Sequence, residues 1–321
     1  MKIRAANIRD LGRIEDIHHG SDGQLSNVAP PARLWSLVSQ TLSALLPLYQ
    51  ESLLFVAEEK GRVVGFAQAS ARQPGLNLPV KPSALQLLNL GVAKSADIGE
   101  VAPALVDHLC NQALQRGVHK LFVRLPLDDK LTPLFRLEGF RQYAIEHVLY
   151  SEQPQGFSAQ VPFGLRPARG RDDRALYQMY RKVTPAGVAL VEAPSFREFR
   201  MLKRELYGSL ASRGDSDKQM VVDRVELVGW VRVQRSSTER PHTLSFKALP
   251  EADLPEELVD YALTELNAQG PAWSSLRHYD SHMIDALRGR GFTTLLRQAL
   301  LVKELAVRVP VREKGLVPSF G

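Results

Sequence analysis

Two pairs of histidines and one thiol are the side chains whose spacing in this chain invites a chemical reading. His278 and His282 stand four residues apart in His278-Tyr279-Asp280-Ser281-His282, the interval at which two imidazoles on one helix share a metal ion. The run before them reads as a strand ending near Tyr279, which puts His278 on a different element. No third ligand stands nearby, so an ordinary loop is expected and no metal. His18-His19-Gly20-Ser21-Asp22 closes an amphipathic segment as a polar helix end. Cys110, the sole cysteine, falls in register with Leu105, Leu109 and Ala113; it reads as a buried thiol rather than a nucleophile. It can form no internal disulfide and no multi-cysteine zinc site. Gly-x-Ser-x-Gly, the Walker loop and the dinucleotide-binding fingerprint do not occur in the sequence, which leaves hydrolase, ATPase and dehydrogenase readings without support.

The elements that must position these residues follow from periodicity. In the first half, residues 3–6 read as a strand, and Asn7 or Asp10 opens a helix with Leu11, Ile14 and Ile17 on one face. A second helix is expected over 32–46. Residues 53–58 and 62–71 form a hairpin through Glu59-Lys60-Gly61, and 84–92 is a strand. A helix carrying Val101, Leu105, Leu109 and Ala113 stops at Gly117, followed by a strand at 120–125, a short helix at 129–137 and a closing pair of strands over 140–150. The second half repeats this order. It has a strand at 163–166, helices at 172–181 and 195–206, a hairpin of 219–223 and 227–235, and a strand at 243–249. A helix carries Leu254, Leu258, Ala262 and Leu266; a strand at 276–279, a helix near 282–288 and strands over 292–302 complete it. Hairpins mixed with crossover helices imply a mixed sheet of the α/β or α+β kind.

Length and composition allow this. The 321 residues suffice for two self-sufficient domains, and 44% hydrophobic with 24% charged residues is ordinary globular protein. The net charge of +6 is spread along the chain rather than striped, so it serves solubility and nucleic acid is not an expected partner. No apolar run approaches the roughly 20 residues of a membrane span, and the N-terminus has no hydrophobic signal core. A soluble, cytoplasmic protein is the expectation.

The chain also repeats itself. Residues 3–17 lie over 165–179 at a displacement of 162, with Arg4, Ala6, Arg9 and Asp10 identical to Arg166, Ala168, Arg171 and Asp172. Val64-Gly65-Phe66 corresponds to Val228-Gly229-Trp230, and Gly139-Phe140 to Gly291-Phe292 at a displacement of 152. The join is expected in the polar stretch 151–162, giving domains 1–152 and 153–307 and a tail at 308–321.

With IRAANIRDLGRI at the start, GRVVGFAQA as a hairpin strand and EGF before the closing strands, the order resembles the GNAT acetyltransferase superfamily. LRPARGRDDRAL, ELVGWVRV and GRGF repeat the pattern. The resemblance covers nearly the whole chain and implies two tandem GNAT-like acyl-CoA N-acyltransferase domains. In that family a loop of the form Q/R-x-x-G-x-G/A leads from the fourth strand into a helix. Its glycines admit backbone N–H groups to the coenzyme A pyrophosphate, and the helix N-terminus adds about half a positive charge. Here the three diagnostic positions fall on Asp97, Glu100 and Ala102, with Gly99 one residue early. In the second copy they fall on Pro250, Asp253 and Pro255, where Asp253-Leu254-Pro255-Glu256 reads as a helix start. The resemblance thus implies acetyl-CoA as co-substrate, bound in the first copy by Gly91, Val92, Gly99, Glu100, Val101 and Ala102. It makes His18 and His19 candidates for contact with the acceptor. The tyrosine acid that many members place five residues before the Phe of the closing Gly-Phe corresponds to Phe135 and Leu287, so the catalytic acid and base stay unassigned. The implied function is acetyl transfer to an amine of a small molecule or peptide through the N-terminal copy; the alternative is a catalytically inactive GNAT-fold protein that binds a small molecule or a partner chain.

Overall fold

A computed structural model describes residues 1–20, 25–26, 52–71, 83–155, 160–207, 216–236, 241–250, 254–267 and 270–305. The helix expected at 32–46, Asp253 and the expected tail lie outside the described residues.

The repeated residues form the same local structure twice. β1 (Lys2–Ala5) passes through a 3₁₀ turn into α1 (Leu11–Gly20), and β8 (Leu165–Pro167) through a 3₁₀ turn into α4 (Asp173–Val183). Arg4 donates to both carboxylate oxygens of Asp10 at 2.7 and 2.9 Å, and Arg166 to those of Asp172 at 2.8 and 2.9 Å. Each carboxylate also accepts a backbone N–H at the turn, from Asn7 at 2.8 Å and Arg169 at 2.7 Å. Each guanidinium reaches on to the neighbouring strand, Arg4 to Glu58 of β3 (Ser52–Glu59) and Arg166 to Asp223 of β9 (Ser216–Asp223). The Arg–Asp pairs fix how each helix leaves its first strand. The hydrogen bonds from the arginines hold Asp10 and Asp172 below the usual carboxylate range.

The other two repeats have equally local causes. Gly65 of β4 (Arg62–Ala71) lies under α2 (Ile98–Gln115), where a Cβ would come within 2.7 Å of Val101 Cγ1. Gly229 of β10 (Leu227–Arg235) lies under α7 (Leu254–Glu265), where a Cβ would come within 3.1 Å of Leu258 Cδ1. The glycine of each Val-Gly-aromatic run therefore lets a helix pack close on the sheet. Gly139 and Gly291, both at φ 82°, end α3 (Thr132–Leu137) and α8 (Ser281–Arg288). In both, the Gly N–H reaches three residues back and the Phe N–H five residues back (Phe140 to Phe135 at 2.9 Å, Phe292 to Leu287 at 3.2 Å), which is the Schellman cap. The β3–β4 hairpin turns on Lys60 and Gly61, both at positive φ, as a two-residue turn between right-twisted strands requires.

All strands among the described residues join one sheet. Besides those given they are β2 (Leu25–Ser26), β5 (Ala84–Val92), β6 (Lys120–Pro126), β7 (Arg141–Ser151), β11 (His242–Ala248), β12 (Ala272–Arg277) and β13 (Thr293–Glu304). Their order is β1-β3-β4-β5-β6-β13-β7-β12-β11-β10-β9-β8, with β2 against β5. This corrects the expected closing pair of strands in each half. Each half ends in one long strand, because 141–151 and 293–304 contain no Gly, Pro or Asn to turn the chain. Each closing strand then crosses into the other half: β13 lies between β6 and β7, and β7 lies between β13 and β12. The order reads the same from either edge about an axis between β13 and β7. α2 covers one end of the sheet and α7 with α8 the other. α5 (Ala186–Glu192), which periodicity did not indicate, sets Val188 and Val191 over the central strands, against Ala144, Leu300, Phe122 and Val302. α6 (Phe196–Tyr207) packs on α4 through Phe199. Among the described residues no helix is long and apolar enough to cross a membrane.

Two expectations follow. Asp10→Asn and Asp172→Asn each lose charge-assisted hydrogen bonds and cost about 1–2 kcal/mol in urea melts at pH 7. Because each native carboxyl titrates below its unfolded value, its stabilisation is present above about pH 4 and is lost as pH falls through the lowered value. The difference between parent and variant therefore shrinks in acid. Expressed alone, residues 1–155 and 160–305 each lack the strand that separates or flanks their own closing strand, and leave an unpaired edge. Separately they should aggregate or self-associate, whereas co-expression yields a 1:1 complex by size exclusion.

Candidate functional site

The sheet is continuous except at two openings. β5 and β6 run parallel but pair only from Ala84 with Lys120 to Gln86 with Phe122. β11 and β12 pair only from His242 with Ala272 to Leu244 with Ser274. Beyond those residues each pair of strands parts, and the helix that follows the first strand of each pair, α2 or α7, begins beside the gap. Backbone amides that no neighbouring strand occupies, next to a helix N-terminus, can receive an extended ligand carrying a phosphate.

The first opening gathers most of the residues singled out in the sequence. Gly91 and Val92 form the end of β5. A Cβ on Gly91 would lie 2.6 Å from Phe66 Cε1 and 3.2 Å from Ile17 Cγ2, so glycine is required by the packing of α1. The same Phe66 ring lies 6.3 Å from that of His18, which is buried, while His19 is exposed on the next turn position. Gly91 and His18 thus meet across one phenyl ring. At the start of α2, Asp97 caps the helix: its carboxylate accepts the Gly99 N–H at 2.8 Å and its carbonyl the Val101 N–H at 2.9 Å. Glu100 is exposed in the first turn, and Val101 and Ala102 are buried beneath it. An acyl-CoA fits part of this arrangement. Gly91 and Val92 offer backbone beside the gap, but the Gly99 N–H is engaged by Asp97, and Glu100 adds a second carboxylate where phosphates would lie. β2 also takes part of the strand edge, with Leu25 opposite Leu90 and Ser26 opposite Asn89. Behind that edge Asn89 donates to Gln68 at 2.6 Å, both buried. Phe135 and Leu287, at the tyrosine-acid position, are fully buried in the Schellman caps described above.

The second opening is built differently, and sequence reasoning missed it. The residue opposite Phe66 is Gly91; the residue opposite Trp230 is Lys247. Lys247 spans the gap to Asp280, just past β12, at 2.7 and 3.0 Å. Arg277, 5% exposed, pairs with Glu146 of β7 and, at 2.9 Å, with Glu192 of α5. Glu192 also accepts from the hydroxyls of Tyr143 and Tyr180 at 3.3 and 3.4 Å. Burial alone would raise the Glu146 carboxyl, yet the charges of Arg124 and Arg277 outweigh it and hold it at about 2. Burial, then Glu192 and Asp280, push Tyr279 far above its usual range, so it stays a neutral phenol. A cavity within this opening is lined by Lys247, Asp280, Arg277, Glu192, Tyr180 and Tyr279 of this cluster, together with Ser245 and Ser275.

The remaining candidates are separate. His278 follows β12 and His282 lies in α8. Among the described residues no three His, Cys, Asp or Glu are grouped to hold a metal ion. Cys110 is buried in α2, with its thiol pushed up to about 11 by burial.

Known proteins share this architecture. Residues 25–140 match the acetyltransferase (GNAT) family, across the first opening. The structure is similar to a tandem GNAT protein from the clavulanic acid biosynthesis pathway, with a TM-score of 0.56 at 15% identity over 95% of this chain and 99% of that one. A GCN5-related N-acetyltransferase from Sphaerobacter thermophilus gives 0.58 at 15% identity, covering 96% of both chains. A putative acetyltransferase from Pyrococcus horikoshii gives 0.51 at 12% identity, over 95% of this chain and 90% of that one. The chain is a tandem GNAT-fold protein. None of the curated proteins compared matches the sequence. The family match over residues 25–140 supports acyl transfer as the general class of chemistry.

Within the tandem GNAT fold the Arg277 cluster gives a sharp expectation. Arg277→Met leaves Glu146 and Glu192 without their shared cation and costs about 3–5 kcal/mol in urea melts at pH 7. In the parent the Glu146 contribution is present above about pH 4.5 and is lost only as pH falls toward 2. In the variant the carboxylates take up a proton at higher pH, so the deficit narrows below roughly pH 5.

Proposed function

We propose that the protein transfers an acetyl group from acetyl-CoA to an amine of a small molecule or peptide, and that the N-terminal copy does so. In this reading 1–152 and 153–307 are the two units and the first holds the active opening. The observation that carries it is the contrast between the gaps: the strand bordering the first has Gly91 where the strand bordering the second has Lys247, which Asp280 locks across the opening. The match of residues 25–140 to the acetyltransferase family favours the same copy.

The thioester supplies an activated acyl group, and the chain supplies position. Gly91 and Val92 offer backbone to an extended ligand arm, and the start of α2 offers the positive end of its dipole to phosphates, weakened by Asp97 and Glu100. His18, held against Phe66, and the exposed His19 are the residues that this reading puts in contact with the amine. In the transfer the amine nitrogen forms the new bond to the acetyl carbon as the carbon–sulfur bond breaks, and the proton lost by the amine balances the one taken by the departing thiolate.

The specific observation for a second reading, a non-catalytic binding module, is that Asp97 and β2 already occupy groups an acyl-CoA would use. Thiol release with a panel of amines separates the two: acetyl-CoA consumption dependent on amine supports transfer, and binding without consumption supports the module. Glu100→Gln removes a carboxylate from the helix start and should tighten coenzyme A binding about two- to fivefold by calorimetry, more at low salt. An unchanged affinity would place coenzyme A outside the first opening.

A further inference from the structure

The cavity in the second opening has no part in the transfer proposed above, yet it is a built polar site. Its wall carries two cations, Lys247 and Arg277, and two anions, Glu192 and Asp280, each paired with an opposite charge. Arg277 has a second carboxylate, Glu146, behind it. Lys247 and Asp280 are about one-tenth exposed, and Arg277 and Glu192 less. The four charges that line the wall therefore cancel, and each of these side chains is largely shielded from solvent.

Such a wall selects its ligand by charge. A lone carboxylate or a lone ammonium entering it would bring one uncompensated charge into a desolvated space. A molecule carrying both can place its carboxylate beside Lys247 and its ammonium beside Asp280, exchanging one internal ion pair for two to the ligand. The neutral phenol of Tyr279, whose ring lies 5.2 Å from Lys247 Nζ, and the hydroxyl of Ser275 can donate or accept around it. Size narrows the choice. The cavity has a volume of about 60 Å³ and opens to solvent. At 10–15 Å³ per water-sized group this is room for roughly four to six such groups, the size of the smallest α-amino acids.

We propose that the second opening is a binding site for a small zwitterionic α-amino acid of the size of glycine or alanine, held between Lys247 and Asp280. The same two residues that close this copy to a pantetheine arm build the site.

Equilibrium dialysis of the full chain against radiolabelled glycine and L-alanine, without any coenzyme A, tests this independently of acyl transfer. The expected result is one amino acid bound per chain at concentrations up to about 20 mM. Glycinamide, which keeps only the ammonium, and N-acetylglycine, which keeps only the carboxylate, should bind at least about tenfold more weakly. The double variant Lys247→Met with Asp280→Leu removes the pair without stranding a charge and should abolish binding while leaving the thermal midpoint near that of the parent. No binding of glycine or alanine, equal binding of the singly charged analogues, or retained binding by a folded double variant would each overturn the proposal. If the double variant does not fold, the comparison of analogues on the parent chain decides alone.

Discussion

The structure depends on one buried cation. Arg277 sits at the end of β12 between Glu146, on the closing strand of the first half, and Glu192, at the end of α5. Removing three charges from water is expensive, and their mutual attraction repays it only when partners and geometry are held fixed. Here they are held by the exchange of closing strands, which makes Glu146 the direct cross-strand neighbour of Arg277. The dependence runs both ways. The exchange brings the charges together, and the charges penalise any register that separates them, since a slip of one residue would turn Glu146 to the opposite face of the sheet.

The row of residues across the centre makes the logic visible. Pro126, Gln298, Glu146 and Arg277 lie side by side on β6, β13, β7 and β12. The displacement of 152 that carries Gly139 onto Gly291 also carries Glu146 onto Gln298, so these two face each other across the axis of the repeat. Two carboxylates at that position would repel in a buried sheet. On one side of the axis neither charge occurs, with Pro126 opposite Gln298; on the other both do, with Arg277 opposite Glu146. Charge and countercharge occur together or not at all, as the cost of an unpaired buried ion demands.

Which parts of this were legible in the sequence follows from the range of the interactions. The Arg4–Asp10 and Arg166–Asp172 pairs, the glycines under α2 and α7 and the two Gly-Phe caps all act within a few residues or one helix–strand contact, so each left a short repeated motif. The repeat, the mixed sheet and the tandem GNAT fold could be read from those motifs. The strand exchange left none, because a strand alternates in the same way whichever neighbour it pairs with. α5 is too short for a period to declare itself. On the functional side, Gly91, Val92 and the start of α2 were named through the resemblance, because the family's loop carries glycines at fixed spacing before a helix N-terminus. Lys247, Arg277 with Asp280 three residues on, and Glu192 come from three separate stretches of chain, and no spacing links the three.

The two openings show how one scaffold can hold unlike sites. Both arise from the same cause, parallel strands that part after three paired residues, and both lie beside the start of a helix. Their difference comes down to what stands opposite a conserved-in-register aromatic within the repeat. Opposite Phe66 is Gly91, where α1 packs so closely that a Cβ would strike the ring. Opposite Trp230 is Lys247, which α4 and α6 leave room for and which Asp280 then neutralises. The packing of the helix that follows the first strand of each copy therefore decides whether the gap presents bare backbone or charged side chains. Backbone suits a long ligand bound along a strand edge; a neutral ring of opposed charges suits a short one that carries both signs. α5 joins the two, since Glu192 belongs to the charged cavity while Val191 packs on Phe122, the last residue of β6 paired before the first opening parts.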